Sequence, residues 1–188
     1  MTDSAIYDVM HSIITIVTGL SNGQVIPADD NEYSPSNAYA AIKVGSSRGQ
    51  RGQANITKSN TGLVSSPIGQ VRDVNHDIKS QLTVDVTINF FRGNALENAV
   101  FLFQANKRPD ISALLFAANI GWKGSGTVND LTALQSKERE QRAQITITFL
   151  YEQPQSVVTN AIYGVQVIAE NEAGNQIQTD TINSPAGV

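Results

Sequence analysis

The sequence predicts an α+β fold, an antiparallel β-sheet sandwich with an N-terminal helix and two central helices packed on it. Two segments carry the prediction of a sheet. Residues 82–90 alternate Leu82, Val84, Val86, Ile88 and Phe90 with Thr83, Asp85, Thr87 and Asn89, and residues 143–151 repeat the pattern with Ala143, Ile145, Ile147, Phe149 and Tyr151. A period of two marks a strand with one buried face. Helical spacing precedes the first of these strands and fills the interval between them, so the helices are expected on one side of an antiparallel sheet.

In chain order, Ile6, Val9, Met10, Ile13, Val17 and Leu20 fall at helical spacing, with Thr2 or Asp3 as cap and Gly19 near the stop. Asn22-Gly23, Pro27 and Pro35 punctuate a connection containing a short extended piece at Val25 and Ile26. Tyr39 to Val44 reads as a strand, and Val71 to Ile78 as another. Between them, residues 45–70 are rich in Gly, Ser, Asn and Gln, with Ala54, Ile56, Leu63 and Val64 as sparse apolar anchors; such a segment suits a projecting loop or hairpin made for contact. Asn94 and Glu97 have capping-box spacing for a helix over 95–106, with Ala99, Leu102 and Phe103 facing inward. Pro109 opens a second short helix through Ile111, Leu114, Leu115 and Ala118, followed by a Gly-rich turn. The second alternating strand is expected to end at Pro154. Tyr163 to Ala169 is apolar on both faces and is expected to be buried on both. The organisation expected is a single domain over residues 1–170 and an extended C-terminal tail over 171–188.

Composition excludes several kinds of chemistry. The chain has 188 residues, 40% hydrophobic and 16% charged, with no cysteine and two histidines, His11 and His76. Disulfides, thiolate nucleophiles and cysteine-held zinc are therefore absent, and two histidines do not make an imidazole-rich metal site. No run reaches the roughly 18 to 20 apolar residues of a membrane span, and no basic region precedes the first apolar stretch as in a signal peptide. A soluble protein made in the cytoplasm, with no membrane partner, is expected.

The net charge of −4 is unevenly distributed. Residues 1–32 hold five acids and residues 143–188 hold four, with no Lys or Arg in either; all thirteen Lys and Arg lie between Lys43 and Arg142, where eight acids leave a balance of +5. Acidic ends and a basic middle suit head-to-tail contact between copies, although chance segregation gives the same pattern.

No catalytic constellation emerges. The glycines and lysine of Gly121 to Gly126 follow a helix instead of joining a strand to a helix start, so they lack the geometry of a phosphate loop. Asp29 with Asp30, and Glu138 with Glu140 beside Arg139 and Arg142, are adjacent carboxylates suited to solvation or ion pairing; general acid–base work needs two carboxyls in different environments of one pocket. There is no Gly-x-Ser-x-Gly nucleophile turn. Neither enzyme activity nor a cofactor is expected. Arg48, Arg51, Lys58 and Arg72, with no acid between Glu32 and Asp73, are candidates for partner contact or for passive lining of a DNA channel, because phosphate contact needs little beyond exposed cations. Residues 45–70 hold no aromatic side chain for base stacking, which argues against sequence recognition.

Several features together resemble phage neck and tail-terminator proteins. They are the helix ending in Thr18-Gly19-Leu20, Val25-Ile26-Pro27-Ala28, Pro35 and Tyr39 leading into the first strand, Phe90-Phe91 closing the next, and Asp130-Leu131-Thr132-Ala133-Leu134 followed by Glu140, Arg142 and Ala143. The resemblance covers roughly residues 3–169; the polar insert and the acidic tail have no clear counterpart in it. It implies a structural virion protein, a ring of commonly six subunits that caps the tail tube and meets the head-side connector, with genomic DNA passing through the lumen. Candidate contacts between subunits are Glu140, Arg142, Ile177 and Asp180. Ile177, Thr179 and Thr181 share one parity, so an extended arm could add to a neighbour's sheet edge. A head-completion or tail-tube subunit would use a similar core. A non-catalytic β-rich binding module is the reading from another class, and clustered exposed aromatics would favour it.

Overall fold

A computed structural model describes residues 2–28, 35–66, 69–135, 138–162 and 164–183, with side chains described outside 60–72, 133–139, 160–166 and 181–183. In chain order the elements are α1 (Asp3–Thr18), β1 (Val25–Pro27), β2 (Tyr39–Gln50), β3 (Asn55–Ser66), β4 (Gly69–Phe91), α2 (Ala95–Gln104), α3 (Pro109–Ala117), β5 (Ile120–Ser125), β6 (Asn129–Asp130), β7 (Ala133–Gln135), β8 (Glu138–Glu140), β9 (Arg142–Ile162), β10 (Gly164–Glu170) and β11 (Gln176–Asn183). Short 3-10 turns occupy Asn22–Gln24 and Ala105–Lys107. The α+β class read from the sequence is the observed one. The chain forms two compact units, one from 1–53 and 81–153, the other from 54–80 and 154–188.

The first unit is a sheet ordered β1-β2-β4-β9-β5, with β6 also on β9. β1 runs parallel to β2; β2 lies antiparallel to β4, and β5 and β6 antiparallel to β9. The alternating strands turn one parity inward as their pattern requires. Val84, Val86, Ile88 and Phe90 of β4 and Ala143, Ile145, Ile147 and Phe149 of β9 are almost wholly buried, together with Ile6, Met10, Ile13 and Ile14 of α1, Ala99 and Leu102 of α2, and Ile111 of α3. Burial of each large aliphatic side chain contributes about 1.5–3 kcal/mol, which holds α1 in place although its own hydrogen bonds are only marginally stabilising in water. Thr2 caps α1 by accepting from the Ala5 amide at 3.3 Å, and Gly19, at φ +74°, ends it in the left-handed conformation. The other parity of the central strands is polar and cross-linked: Thr87 and Thr146 hydroxyls meet at 3.3 Å, and Thr148 donates to Asp85 at 2.6 Å. These two contacts step in opposite directions along the strands, so β4 and β9 are antiparallel.

Several sequence expectations are corrected. Asn94 precedes α2, but its side chain makes no capping hydrogen bond; the inward stripe is Ala95, Ala99 and Leu102, continued by Ala105, while Phe103 is 45% exposed. The expected Gly-rich turn is strand β5, in which Gly121 pairs with Leu150 and Gly124 with Thr148 of β9, with a bulge between Trp122 and Gly124. β9 continues through Pro154; proline is tolerated where its missing N–H is not needed by a neighbouring strand. β2 runs past Val44 to Gln50 after a bulge between Val44 and Arg48. Gly45 allows the bulge, since a Cβ there would lie 2.7 Å from the carbonyl oxygen of Asp85.

In the second unit, β3 pairs antiparallel with the first half of β4, from Asn55 opposite Lys79 to Ser66 opposite Gly69. Ser156 donates to Asp77 at 2.5 Å and Thr159 to the Val74 carbonyl at 3.4 Å. β10 and β11 form a two-stranded antiparallel hairpin. Its turn is built by Asn171, whose side-chain oxygen accepts from the amides of Ala173 and Asn175, and by Gly174 at φ +76°. The burial expected on both faces over residues 163–169 is not found where side chains are described, Val167 being 54% and Ile168 43% exposed; Tyr163 and the side chains of 164–166 lie outside the described residues. Periodicity reports apolar residues but not the partner that covers them.

Candidate functional site

β4 ends at Phe91, and Arg92 leaves it at φ +61°, a conformation uncommon for a residue with a side chain. Its amide donates to the Gln141 carbonyl at 2.7 Å. The turn aims the guanidinium at three acceptors: Nη1 donates to the carbonyls of Pro35 at 2.7 Å and Ser36 at 2.8 Å, and Nε to Oε1 of Glu140 at 3.2 Å. The planar five-donor fork of arginine suits such a multipoint clamp. Tyr39 and Phe91, cross-strand partners in β2 and β4, stack with ring centroids 4.6 Å apart. Arg92 lies over the Tyr39 ring at 5.9 Å and Arg142 over the Phe91 ring at 4.9 Å, with Arg142 also donating to Asn89 at 3.3 Å. Two stacked rings thus carry a guanidinium each.

Arg142 also anchors the preceding turn. Its carbonyl accepts from Leu131 at 2.8 Å and its amide donates to the Thr132 hydroxyl at 3.4 Å. The Asp130 carboxylate accepts from the Thr132 amide at 3.0 Å, closing an Asx turn. The Asp130-Leu131-Thr132 run and the Glu140/Arg142 pair therefore belong to one structural corner.

The other sequence candidates are dispersed. Arg48 follows the β2 bulge and points into the first unit: Nε donates to the Tyr151 hydroxyl at 3.0 Å, Nη1 to the carbonyls of Gly45 and Ser47, and Nη2 to Asp3. It is an internal clamp between the start of α1, β2 and β9. Arg51 has an exposed side chain, and its amide donates to the Gln81 carbonyl at 2.8 Å. Lys58 is exposed on β3 opposite His76. Arg72 is opposite Leu63 by backbone register, and its side chain lies outside those described. Ile177 is 70% exposed on β11, where Asp180 accepts from Gln178 at 2.9 Å. Among the candidates whose side chains are described, only Glu140 and Arg142 share a cluster. The sequence reading missed Arg92, Tyr39 and Phe91 as its other members; Phe91-Arg92-Gly93 at a strand end was the available signal.

The remaining chemical candidates stay apart. His11 lies 3.3 Å from the Asn22 carbonyl. Among the described residues no three His, Cys, Asp or Glu side chains gather as metal ligands, and no helix is long and apolar enough to cross a membrane. Trp122 and Ser125, from the stretch with glycines and lysine, bond to each other at 3.1 Å within β5. Asp29 and Asp30 lie outside the described residues.

These polar clusters fasten segments of the chain to a helix-covered sheet. The chain matches the model of the phage neck terminator proteins over residues 4–179 and belongs to that family. It is accordingly a structural protein of the phage neck, located in the virion, where it assembles with other tail and head proteins. No match is found among curated proteins.

Proposed function

We propose that this neck terminator is a ring subunit, six copies of which cap the finished tail tube and present their other face to the head-side connector, with DNA passing through the lumen. Membership of the neck terminator family over residues 4–179 carries the reading. The exposed face of the central helices supports it: Leu96, Val100 and Phe103, spaced i, i+4 and i+7 on α2, are 46%, 39% and 45% exposed, and Phe116 of α3 is 86% exposed. Exposed apolar side chains of this kind suit burial against a neighbouring copy, and one repeated heterologous contact that closes makes a ring. The net charge of −4 suits a channel through which DNA slides without being gripped. The subunit works by assembly, without cofactor or catalysis, after synthesis in the host cytoplasm.

Mass photometry with negative-stain imaging at high protein concentration tests the proposal. Closed six-fold rings are expected. Open polymers would instead indicate a tube subunit, and particles that remain monomeric, also when mixed with tail tubes, would refute a ring.

A further inference from the structure

Among the described residues, nothing covers the β10–β11 hairpin. A two-stranded hairpin is marginally stable in water unless a further strand or an apolar layer covers it. Among the described residues β10 and β11 pair only with each other, and every described side chain from Val167 to Asp180 is exposed, including Val167, Ile168 and Ile177. A strand edge of this type is a template for another strand.

A suitable strand exists elsewhere in the same sequence. β3 pairs with β4 on one side, and no second partner strand is assigned to it among the described residues. Its exposed stretch Asn55–Ser59 carries Lys58 and, on the same face, Ile56, which is 54% exposed. The charges are complementary. Residues 143–188 carry Glu152, Glu170, Glu172 and Asp180 with no Lys or Arg, while Lys58 lies in the segment between Glu32 and Asp73 that has no acid.

From these edges we infer that β11 of one copy adds antiparallel to the β3 edge of the next copy, with Asp180 facing Lys58. That register sets residues 55–59 opposite 179–183 and keeps Lys58 and Asp180 on one face, as the two-residue period of strands requires. Backbone hydrogen bonds supply the attachment, and the charge pair selects the register. The occupant is a second copy because both edges are repeated in every subunit and are complementary to each other instead of to themselves, the condition for head-to-tail closure. The inference rests on the ring reading and locates one of its seams.

The absence of cysteine gives a direct test. In the full chain carrying Lys58→Cys and Asp180→Cys, mild oxidation should give a ladder of covalent multimers ending at the mass of the closed ring, while either single substitution should not. In parallel, Lys58→Glu or Asp180→Lys should each weaken self-association about tenfold, and the two together should restore it. Rings of normal mass without cross-links, and indifferent to charge reversal, would overturn this seam and leave the ring reading standing. A disulfide confined to single chains would overturn the inter-subunit pairing. Chains that neither associate nor cross-link at any concentration would overturn both readings.

Discussion

Arg92 donates from Nε to Oε1 of Glu140 across 3.2 Å, tying the residue after β4 to the last residue of β8. The same guanidinium holds the carbonyls of Pro35 and Ser36, so one side chain fastens three segments distant in sequence. The ion pair itself is open to solvent, with side chains 41% and 27% exposed, and contributes only about 0–1 kcal/mol. Each carbonyl bond adds about 0.5–1.5 kcal/mol.

Arg92→Ala is therefore expected to destabilise the subunit by about 2 kcal/mol, lowering Tm by about 4–8 °C for a chain of this size. Arg92→Lys should recover less than half of the loss, because an ammonium cannot reproduce the fork. Calorimetry of the three proteins decides the matter; an unchanged Tm in the alanine variant would show that the clamp is not structural.

The sheet was legible because strand parity survives in the sequence: the residues buried from Val84 to Phe90 and from Ala143 to Phe149 are those that alternation selects. The corner around Glu140 was legible only in part. Asp130, Glu140 and Arg142 lie close in sequence, but Tyr39 reaches Phe91 through strand pairing and Arg92 through a positive-φ turn, relations that local spacing does not encode. β5 was missed because its pairing with β9, from Ile120 opposite Tyr151 to Ser125 opposite Ile147, is a long-range relation that a local run of glycines does not report. Likewise Arg48 looked like one member of a solvent-facing basic series until the bulge after Val44 turned it toward Tyr151 and Asp3.

That bulge gives a second prediction. A methyl group at Gly45 would sit 2.7 Å from the backbone oxygen of Asp85, and backbone cannot move as a side-chain tip can. Gly45→Ala should cost about 1–3 kcal/mol and displace the Arg48 clamp, read as a lower urea midpoint. Gly124→Ala, with nothing within 4 Å, should stay within about 0.5 kcal/mol of the parent. Equal effects of the two substitutions would contradict the crowding argument.

Asp110 offers a pH-dependent prediction. Its carboxylate accepts from Arg108 Nε at 3.1 Å and Nη2 at 2.6 Å, and from the Ile111 amide at 3.0 Å. The Arg108 hydrogen bonds are the main cause holding its pKa below the ordinary carboxylate value, with the Ile111 amide acting in the same direction. Because the folded pKa is the lower one, the stabilisation is fully present above the unfolded pKa of about 3.9 and is lost as pH falls through the folded value. An NMR titration of the carboxyl carbon should place its midpoint below that of an exposed reference Asp, and Arg108→Gln should move it upward. No movement would remove Arg108 as the cause.

The apolar face of the central helices separates folding from assembly. The inner side of α2 is filled by Ala95, Ala99 and Leu102, all fully buried, so Leu96, Val100 and Phe103 are surplus to the subunit's core; Phe116, 86% exposed on α3, contributes still less to it. Polar replacement there removes little that the isolated subunit uses, and Phe116→Ser and Val100→Asp should each leave its unfolding free energy within about 0.5 kcal/mol of the parent. A neighbour docked on this face would lose an aromatic anchor in the first variant and bury an unpaired carboxylate in the second, a penalty of at least several kcal/mol if the carboxylate remains charged. Ring formation should consequently fall by more than tenfold for Val100→Asp and by less for Phe116→Ser, measured by mass photometry over a concentration series. If both variants form rings of normal mass at the parent's concentration, this face lies outside the seam; if either instead unfolds at markedly lower temperature, the residues belong to the core despite their exposure.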